Sequence, residues 1–419
     1  MAKKIILIAL LVAVVILVAG IIFFELDPEN TNINYEPANT QNETDKTIRF
    51  DKNGKLKILH IADTHLNYDK HFDASVWVIA EACDVEKPDL VVLTGDNTHP
   101  NEDPEKTKKL INALMNIFES RKIPVAVTFG NHDSEGGPMT REDIMEYYQN
   151  FSCVISTDNS ENFKNCATFN VPVLASDSDK VNFNLWVFDS GDYDEDEPRH
   201  YDRVRTEQIE WYKKTAAKLK KENGGKTVNS VVFQHIIVPE IYDVLKKSDS
   251  KQPYAIKHIY NEEEFYMFDS EQVNYGTLNE KPCPGYYNDG QFDALVETGD
   301  VLAMFTGHDH TNAFGVRNQN IDIYTSPMTR YKGLAYTTQY GYRVVEIDEK
   351  DTSTYKTRVE RLYDVFDFSY IKTAKDNGDK YSTRLAFELA VKGTVQEGFM
   401  KLYQSIVELI TGRQVTYPD

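Results

Sequence analysis

The sequence predicts an α/β fold in which parallel strands alternate with covering helices. Short apolar runs at Asp89–Thr94 and Ile123–Phe129 have the composition of strands that are buried on both faces. Ala74–Cys83 and Pro104–Ser120 are predicted to be helical, and they separate these strands from each other and from an earlier apolar run, Leu56–Ala62. A β-α-β-α-β order implies parallel strands joined by helical crossovers.

Further elements follow along the chain. Strands are predicted at Phe183–Asp189, Val228–Gln234, Val301–Thr306, Ile321–Thr325 and Tyr342–Ile347, and a helix at Arg205–Glu222. The dipeptide Asn53-Gly54 is typical of tight turns, so Thr47–Asp51 is expected to form a hairpin with the strand ending at Ala62. Residues 240–290 have a loop-rich composition and are interpreted as an insertion.

The C-terminal part is predicted to extend a catalytic domain of residues 47–350 by a segment of residues 351–419. One amphipathic helix is indicated there by the spacing of Phe399, Leu402, Tyr403, Ile406, Val407 and Ile410. The simpler interpretation is that this helix packs on the domain. A membrane-surface role is the alternative, although the polar face of the helix is not notably basic.

Residues 1–25 are predicted to be a transmembrane signal anchor or a signal peptide. Lys3 and Lys4 precede an apolar run from Ile5 to Phe24, which has the length of a membrane-spanning helix of about 20 residues. The alternative is a cleaved signal peptide, with a cleavage site near Ala19-Gly20. Residues 26–46 are polar and are expected to form a flexible linker. Both alternatives place the catalytic domain outside the cytoplasm, anchored to the membrane or secreted.

Two further features agree with export. Asn42 and Asn150 each begin an N-glycosylation sequon. Cys153 and Cys166 flank a polar stretch, so a disulfide that closes this loop is expected. The alternative is that all four cysteines are reduced thiols, and the sequence does not indicate whether Cys83 and Cys283 meet.

The charge balance limits the possible partners. The chain has 46 Lys and Arg residues against 66 Asp and Glu residues, a formal net charge of −20. Such an acidic surface repels polyphosphate backbones, so no nucleic-acid partner is expected. An acidic enzyme that acts on phosphates needs another means of holding the anion, and metal ions would provide it.

Polar motifs follow five of the predicted strands. They are Asp63-Thr64-His65, Gly95-Asp96-Asn97, Gly130-Asn131-His132-Asp133, His235, and Gly307-His308-Asp309-His310. An open α/β sheet presents its ligands at the carboxyl ends of its strands, so these side chains are expected to meet. Carboxylates, imidazoles and one carboxamide suit Mn, Zn or Fe. Seven candidate ligands are too many for one tetrahedral ion, and they match two ions that share a carboxylate.

This ordered set resembles the signature of the calcineurin-like metallophosphoesterases over about residues 56–348. Phe188–Tyr193 and Phe292–Asn312 resemble one branch of that superfamily, which is distantly related to the purple acid phosphatases. The resemblance implies a four-layer αββα sandwich. It also implies that Asp63, His65 and His310 bind one metal, that Asn131, His235 and His308 bind the other, and that Asp96 bridges the two.

The same resemblance implies two catalytic residues. His132 would point at the substrate without binding metal, and Asp133 would orient His132 through a hydrogen bond. Purple acid phosphatases have no histidine at position 65 and place a tyrosine three residues after the bridging aspartate, where this chain has His99. The purple colour of those enzymes is therefore expected to be absent, and His99 is expected to be a loop residue.

The expected function is the hydrolysis of a phosphate monoester by a hydroxide that two metals activate. One alternative is a phosphodiesterase acting on nucleotides or lipid head groups, which would share the metal centre. Another is a catalytically inactive, membrane-tethered binding protein. That alternative predicts the loss of at least one ligand, whereas all seven are present. The sequence does not indicate the oligomeric state.

Overall fold

The computed structural model describes residues 33–37, 44–157, 159, 162–250, 252, 255–269 and 273–411. The predicted anchor at residues 1–25 and the sequon at Asn42 lie outside these residues. No helix among the described residues is both long and apolar enough to span a bilayer.

The first half of the larger unit forms a five-stranded sheet. The elements of this part are β1 (Lys55–Ile61), α1 (Phe72–Glu86), β2 (Leu90–Leu93), α2 (Pro104–Arg121), β3 (Val125–Val127) and α3 (Arg141–Tyr148). Two strands from the end of the unit complete the sheet, β14 (Gly341–Asp348) and β15 (Tyr355–Arg361). The strand order is β15-β14-β1-β2-β3, with β1, β2 and β3 parallel. The predicted β-α-β-α-β order is confirmed.

A seven-stranded sheet forms from the middle of the chain. Its elements are β4 (Phe169–Leu174), β5 (Val181–Phe188), α4 (Thr206–Glu222), β6 (Ser230–Gln234), β10 (Val273–Thr277), α5 (Gln291–Thr298), β11 (Val301–Thr306), β12 (Ala313–Asn318) and β13 (Ile321–Thr325). The order is β10-β12-β13-β11-β6-β5-β4, and the central strands β5, β6, β11 and β13 are parallel.

The two sheets pack face to face. One apolar cluster joins residues of both sheets, among them Ile58 and Val92 from the first and Val231 and Phe305 from the second. A second cluster joins the outer face of the seven-stranded sheet to helices α4 and α5, with Trp186 at its centre. On the other side, helix α1 reaches the five-stranded sheet through Glu86, whose side chain accepts from Tyr342 of β14. The result is a mixed α/β sandwich.

The predicted hairpin before β1 is wrong. Ile48 and Phe50 exchange backbone hydrogen bonds with Leu174 of β4 instead of pairing with β1. The Asp51 carboxylate accepts from the backbone N–H groups of Asn53 and Lys55, which forms a turn at Asn53-Gly54. This turn leads into β1, but the antiparallel neighbour of β1 is β14, which lies near the end of the unit.

The insertion at residues 240–290 has more regular structure than its composition predicts. A three-stranded antiparallel sheet forms there from β7 (Leu245–Ser248), β8 (Ile256–Lys257) and β9 (Phe265–Phe268), in the order β7-β9-β8. A short 3-10 helix, Pro239–Val244, precedes it. The central strand β9 contains the aromatic residues Phe265, Tyr266 and Phe268, and aromatic residues favour strands.

Among the described residues, a second, smaller unit consists of residues 336–338 and 361–411. Its helices are α6 (Leu362–Val365), α7 (Phe368–Asp376) and α8 (Lys380–Thr411), and α8 packs with both of the others. The predicted amphipathic helix is the end of α8, where Phe399 and Leu402 are 43% and 56% exposed. The larger unit extends to Glu360, so β15 belongs to it rather than to the segment predicted to begin at residue 351.

The expected disulfide is not present in the structure. Cys153 and Cys166 are both buried thiols. The Cys153 backbone donates to the Glu119 carboxylate at 2.9 Å, and burial together with this carboxylate raises the pKa of the Cys153 thiol. Burial also raises the pKa of the thiol of Cys83 to about 12. Asn150 is exposed, directly after α3, and its glycosylation stays a prediction.

Candidate metal centre

The five polar motifs meet at one end of the two sheets, as predicted. They follow β1, β2 and β3, which are parallel to one another in the first sheet, and β6 and β11, which are parallel to each other in the second. The carboxyl ends of these strands therefore open on the same side of the sandwich, and their loops bring residues far apart in sequence into contact.

One group of ligands surrounds the side chain of His65. Its Nε2 lies 3.4 Å from Asp96 Oδ2 and 2.9 Å from His310 Nε2. Asp63 Oδ1 lies 3.9 Å from the same His65 nitrogen and 3.8 Å from His310 Nε2. These four side chains offer their ligand atoms to a single point, as one metal ion requires.

A second group shares Asp96. His235 Nε2 lies 3.3 Å from Asp96 Oδ2 and 3.2 Å from Asn131 Oδ1. His308 completes the group, with its ring centroid 5.0 Å from that of His235. The structure therefore brings together all seven predicted ligands, and Asp96 occupies the position between the two groups.

The residues of both groups fit a pair of cations. Asp96 Oδ2 and His308 Nε2 are buried atoms that make no hydrogen bond. Buried polar atoms are normally paired, so orphaned ligand atoms that face other ligands indicate a metal site. The donor set of nitrogen and oxygen without thiolate suits Mn, Zn or Fe and does not distinguish among them.

Burial keeps most of these imidazoles neutral, the form in which histidine binds metal. It lowers the pKa of His310 to about 4 and holds the pKa values of His65 and His308 well below the ordinary value of 6.5. Three neutral imidazoles therefore present lone pairs to the site at neutral pH.

The pKa values of the two carboxyl ligands, Asp63 and Asp96, are shifted in opposite directions. Burial raises the pKa of Asp63 to about 8, because the ionised group has lost its water. Burial acts on Asp96 in the same direction, but the adjacent His235 imidazole outweighs it and holds the pKa of Asp96 well below its usual range. Burial would lower the pKa of His235, and Asp96 instead raises it to about 9. A cation bound beside Asp63 would stabilise the ionised form of its carboxylate.

The ligands are held on strained backbone. Four ligands have positive φ angles, which residues other than glycine rarely adopt. The values are 54° for Asp63, 42° for His65, 49° for Asp96 and 73° for His308. Such residues cluster at functional sites, where the surrounding structure compensates a cost of about 1–3 kcal/mol each. Gly130 allows the loops to approach, since a Cβ there would lie 2.3 Å from Asp96 Oδ1.

Asp133 does not orient His132, which corrects the role that the resemblance implied. Its buried carboxylate accepts four backbone hydrogen bonds, and it links the two loops after β2 and β3. The donors are the N–H groups of Asp96 and Gly130, at 2.7 Å each, Asn97 at 2.9 Å and Thr98 at 3.3 Å. Asp133 therefore holds the backbone of the loop that carries Asp96.

The partner of His132 is Glu135, which the sequence analysis did not identify. His132 Nδ1 contacts the Glu135 carboxylate, and the His132 backbone donates to Asp96 Oδ1 at 2.7 Å. Glu135 also accepts from the Tyr193 hydroxyl at 3.2 Å. A carboxylate at Nδ1 fixes the tautomer and the orientation of the ring and leaves Nε2 available. The i, i+3 spacing of His132 and Glu135 was the available signal.

His99 is more than the loop residue that the sequence predicted. Its Nε2 lies 2.9 Å from His65 Nδ1, while the other nitrogen of His65 faces the ligands. A metal-binding histidine commonly has a partner on its second nitrogen that sets its tautomer. His99 takes this role for His65 and does not join either ligand group.

The segment Phe188–Tyr193, which had no assigned role, supports the second ligand group. Ser190 Oγ accepts from the backbone N–H of Ile236, next to His235, at 2.9 Å. The Tyr193 hydroxyl accepts from Asn131 Nδ2 at 3.2 Å. Asp189 forms a buried ion pair with Arg141, whose guanidinium donates to the carbonyl of Gly130 at 2.8 Å.

A third set of possible ligand atoms adjoins the second group. Cys283, from the last part of the insertion, lies with His308 and Asp309. Asp309 is buried and accepts from the Cys283 backbone at 3.1 Å, and burial raises the pKa of its carboxyl well above the ordinary value. Asp309 thus ties this loop to the His308 loop.

The fold and the cluster of candidate metal ligands indicate a phosphoesterase-family domain. The family model described as calcineurin-like phosphoesterase matches residues 56–312, and the chain belongs to this family.

Individual relatives are more distant. The chain is 28% identical over 309 residues to "Probable inactive purple acid phosphatase 29" of Arabidopsis thaliana, which covers 66% of this chain and 72% of the relative. It is 25% identical over 292 residues to "Phosphatase DCR2" of Saccharomyces cerevisiae, covering 64% and 46%. A solved dimetal phosphatase from Danio rerio shares 12% identity, with a TM-score of 0.46, and covers 69% of this chain and 92% of that one.

Proposed function

We propose that this protein hydrolyses phosphate monoesters at the two-metal site. The observation that carries the proposal is the convergence of all seven ligand side chains in two groups that share Asp96. The names of some relatives contain the words "probable inactive". In this chain the ligand set is complete. Three of its members are held by neighbouring residues: His65 by His99, the Asp96 backbone by Asp133, and Asn131 by Tyr193.

Each ligand group has a defined task in this proposal. Asp63, His65 and His310 would hold one cation, Asn131, His235 and His308 would hold the other, and Asp96 would be shared by both sites. When bound, two such ions neutralise phosphate oxygens and lower the pKa of a coordinated water toward neutrality. The buried ligands and their strained loops hold the geometry, so little reorganisation is required during the reaction.

His132 is proposed to act on the leaving group. Its ring lies beside the first ligand group, with a centroid 5.4 Å from that of His65, and its side chain is 27% exposed. The Glu135 carboxylate contacts Nδ1 and orients the ring, so Nε2 is the atom proposed to donate a proton to the departing oxygen. A positioned general acid contributes about 10²–10⁴ in rate.

The test is hydrolysis of p-nitrophenyl phosphate by the full-length protein purified with Mn²⁺. His132→Ala should lose about 10²–10⁴ of kcat while it keeps its metal content by elemental analysis. Asp96→Asn serves as the reference variant and should lose both metal and activity. Full activity in His132→Ala would refute the proposed acid.

The same assay distinguishes the alternatives. Faster hydrolysis of bis-p-nitrophenyl phosphate than of the monoester would identify a phosphodiesterase. A metal-loaded wild-type protein that hydrolyses neither ester would refute the enzymatic proposal and favour the binding protein.

The extracytoplasmic location is also a proposal, and it rests on the apolar run Ile5–Phe24. N-terminal sequencing of the mature protein tests the anchor. A start near Ile21 would show a cleaved signal peptide, whereas an intact N-terminus in the membrane fraction supports the anchor.

A further inference from the structure

Two stacked tyrosines border the second ligand group. The rings of Tyr193 and Tyr201 are 5.6 Å apart with an interplanar angle of 24°, and a backbone bridge joins the two residues. The Tyr193 hydroxyl contacts the ligand Asn131, and the Tyr201 ring packs against the ring of His308 with centroids 4.3 Å apart. This tyrosine wall therefore touches the metal ligands directly.

An aromatic platform continues outward from this wall. His200 stacks on Tyr286 at 3.9 Å with an interplanar angle of 14°, and Tyr287 meets the edge of Tyr286 at 5.0 Å. Tyr286 and Tyr287 are 45% and 42% exposed. Tyr260 packs edge-on against both His200 and Tyr286 from the protein side.

The wall and the platform are one connected structure. The backbone N–H of Tyr286 donates to the carbonyl of Tyr201 at 3.2 Å, and His200 precedes Tyr201 in the chain. The Tyr260 hydroxyl accepts from the Tyr201 backbone at 3.4 Å and donates to the carbonyl of Pro284 at 2.8 Å. The exposed rings therefore have a fixed position relative to His308.

The charges around the platform argue against a second phosphate. Arg203 lies over the Tyr287 ring, but its guanidinium is already paired with Asp194 and Asp289. The chain between the two wall tyrosines also carries three more acidic residues, Glu195, Asp196 and Glu197, against one basic residue, Arg199. A group that binds there beside the phosphate must be uncharged or positive, because an additional anion would be repelled.

We propose that the wall and the platform bind a planar aromatic group on the alcohol side of the substrate, so that the preferred substrates are monophosphates of aromatic alcohols or nucleosides. This inference rests on the proposed function for the position of the phosphate. Structural packing would account for Tyr201 and Tyr260, but it does not require two adjacent tyrosines to keep over two-fifths of their surface in solvent. Such rigid, half-exposed rings suit stacking with a ligand.

Binding of two phosphonates tests the inference without turnover. We expect the full-length, Mn²⁺-loaded protein to bind phenylphosphonate about three- to tenfold more tightly than methylphosphonate in titration calorimetry, as one aromatic contact provides. In Tyr286→Leu the ratio of the two affinities should fall toward one. Phe387→Leu, which changes a 53% exposed aromatic residue in α8, is the matched control and should keep the wild-type ratio.

The outcomes separate the two proposals. Equal affinity for both phosphonates in the wild type, or an unchanged ratio in Tyr286→Leu, would overturn the aromatic subsite and leave the phosphate site intact. Failure to bind either phosphonate would overturn the proposed function as well. A comparison of kcat/KM for O-phosphotyrosine, adenosine 5′-monophosphate and glycerol phosphate then identifies the source of the aromatic group. Preference for glycerol phosphate would contradict the inference.

Discussion

Replacing Asp133 with asparagine tests whether this residue positions the metal site. The substitution keeps the size and shape of the side chain but removes one acceptor oxygen. In the wild type, Oδ2 accepts from the N–H groups of Asp96 and Gly130, and Oδ1 accepts from those of Asn97 and Thr98. An amide has a single oxygen, so two buried N–H groups would face an NH₂ group that cannot accept their hydrogen bonds.

The expected magnitude follows from these contacts. A hydrogen bond to a charged acceptor contributes about 1.5–3 kcal/mol, so two losses correspond to about 3–6 kcal/mol. Part of this cost would appear as lower stability and part as displacement of Asp96. Loss of a residue that positions a metal ligand typically weakens metal binding by about 10–100-fold. We therefore expect Asp133→Asn to lose both stability and metal affinity.

The assay combines urea unfolding with Mn²⁺ titration of the full-length protein. Asp103→Asn is the matched control, because its carboxylate also accepts a backbone hydrogen bond, from Glu105 at 3.1 Å, but in an exposed helix cap. Asparagine caps helices as well as aspartate does, so the control should change stability by well under 1 kcal/mol. If Asp133→Asn binds Mn²⁺ within threefold of the wild type, the proposed positioning role is refuted.

Two further predictions concern the same end of the sandwich. Gly130→Ala would place a Cβ 2.3 Å from Asp96 Oδ1, so metal content should fall, whereas Gly398→Ala in α8 meets open space and should be neutral or stabilising in thermal unfolding. His60 is buried between Thr94 and Ser326, and burial first and then Arg343 hold its pKa well below 6.5. Below pH 6.5 the unfolded chain therefore binds a proton that the folded chain does not. As the pH falls, the free energy of unfolding should decrease by up to about 1.4 kcal/mol per pH unit. His60→Gln should remove about 2 kcal/mol of the loss between pH 6.5 and 5.0 in urea unfolding, and an unchanged slope would contradict this.

The ligands were predictable because they follow recognisable apolar strands and because those strands are parallel. Their strands are short apolar runs, and each motif begins where such a run ends, as at Leu93 before Asp96 and at Thr306 before His308. Parallel strands then bring their carboxyl ends to one side. Both inferences use only residue type and order, so they identified which side chains meet without any knowledge of distances.

The contacts that support the ligands could not be predicted in this way. His99, Glu135 and Asp133 lie in loops, and their partners depend on backbone conformations such as the positive φ of Asp96. The hairpin prediction failed for a related reason. A turn at Asn53-Gly54 is a local property, whereas the choice of β14 as the partner of β1 depends on a strand almost 300 residues later.

The support of the strained ligands also couples stability to metal binding. Asp96 keeps an unfavourable φ because Asp133 accepts its backbone N–H and because Gly130 leaves room for its carboxylate. Changes at Asp133 or Gly130 should therefore lower the free energy of unfolding and the metal affinity together. Tyr286 makes no comparable contact with the strained loops and lies half-exposed on the platform, so its replacement should alter the choice between ligands with little effect on stability. A large loss of stability in Tyr286→Leu would show that the platform is structural packing.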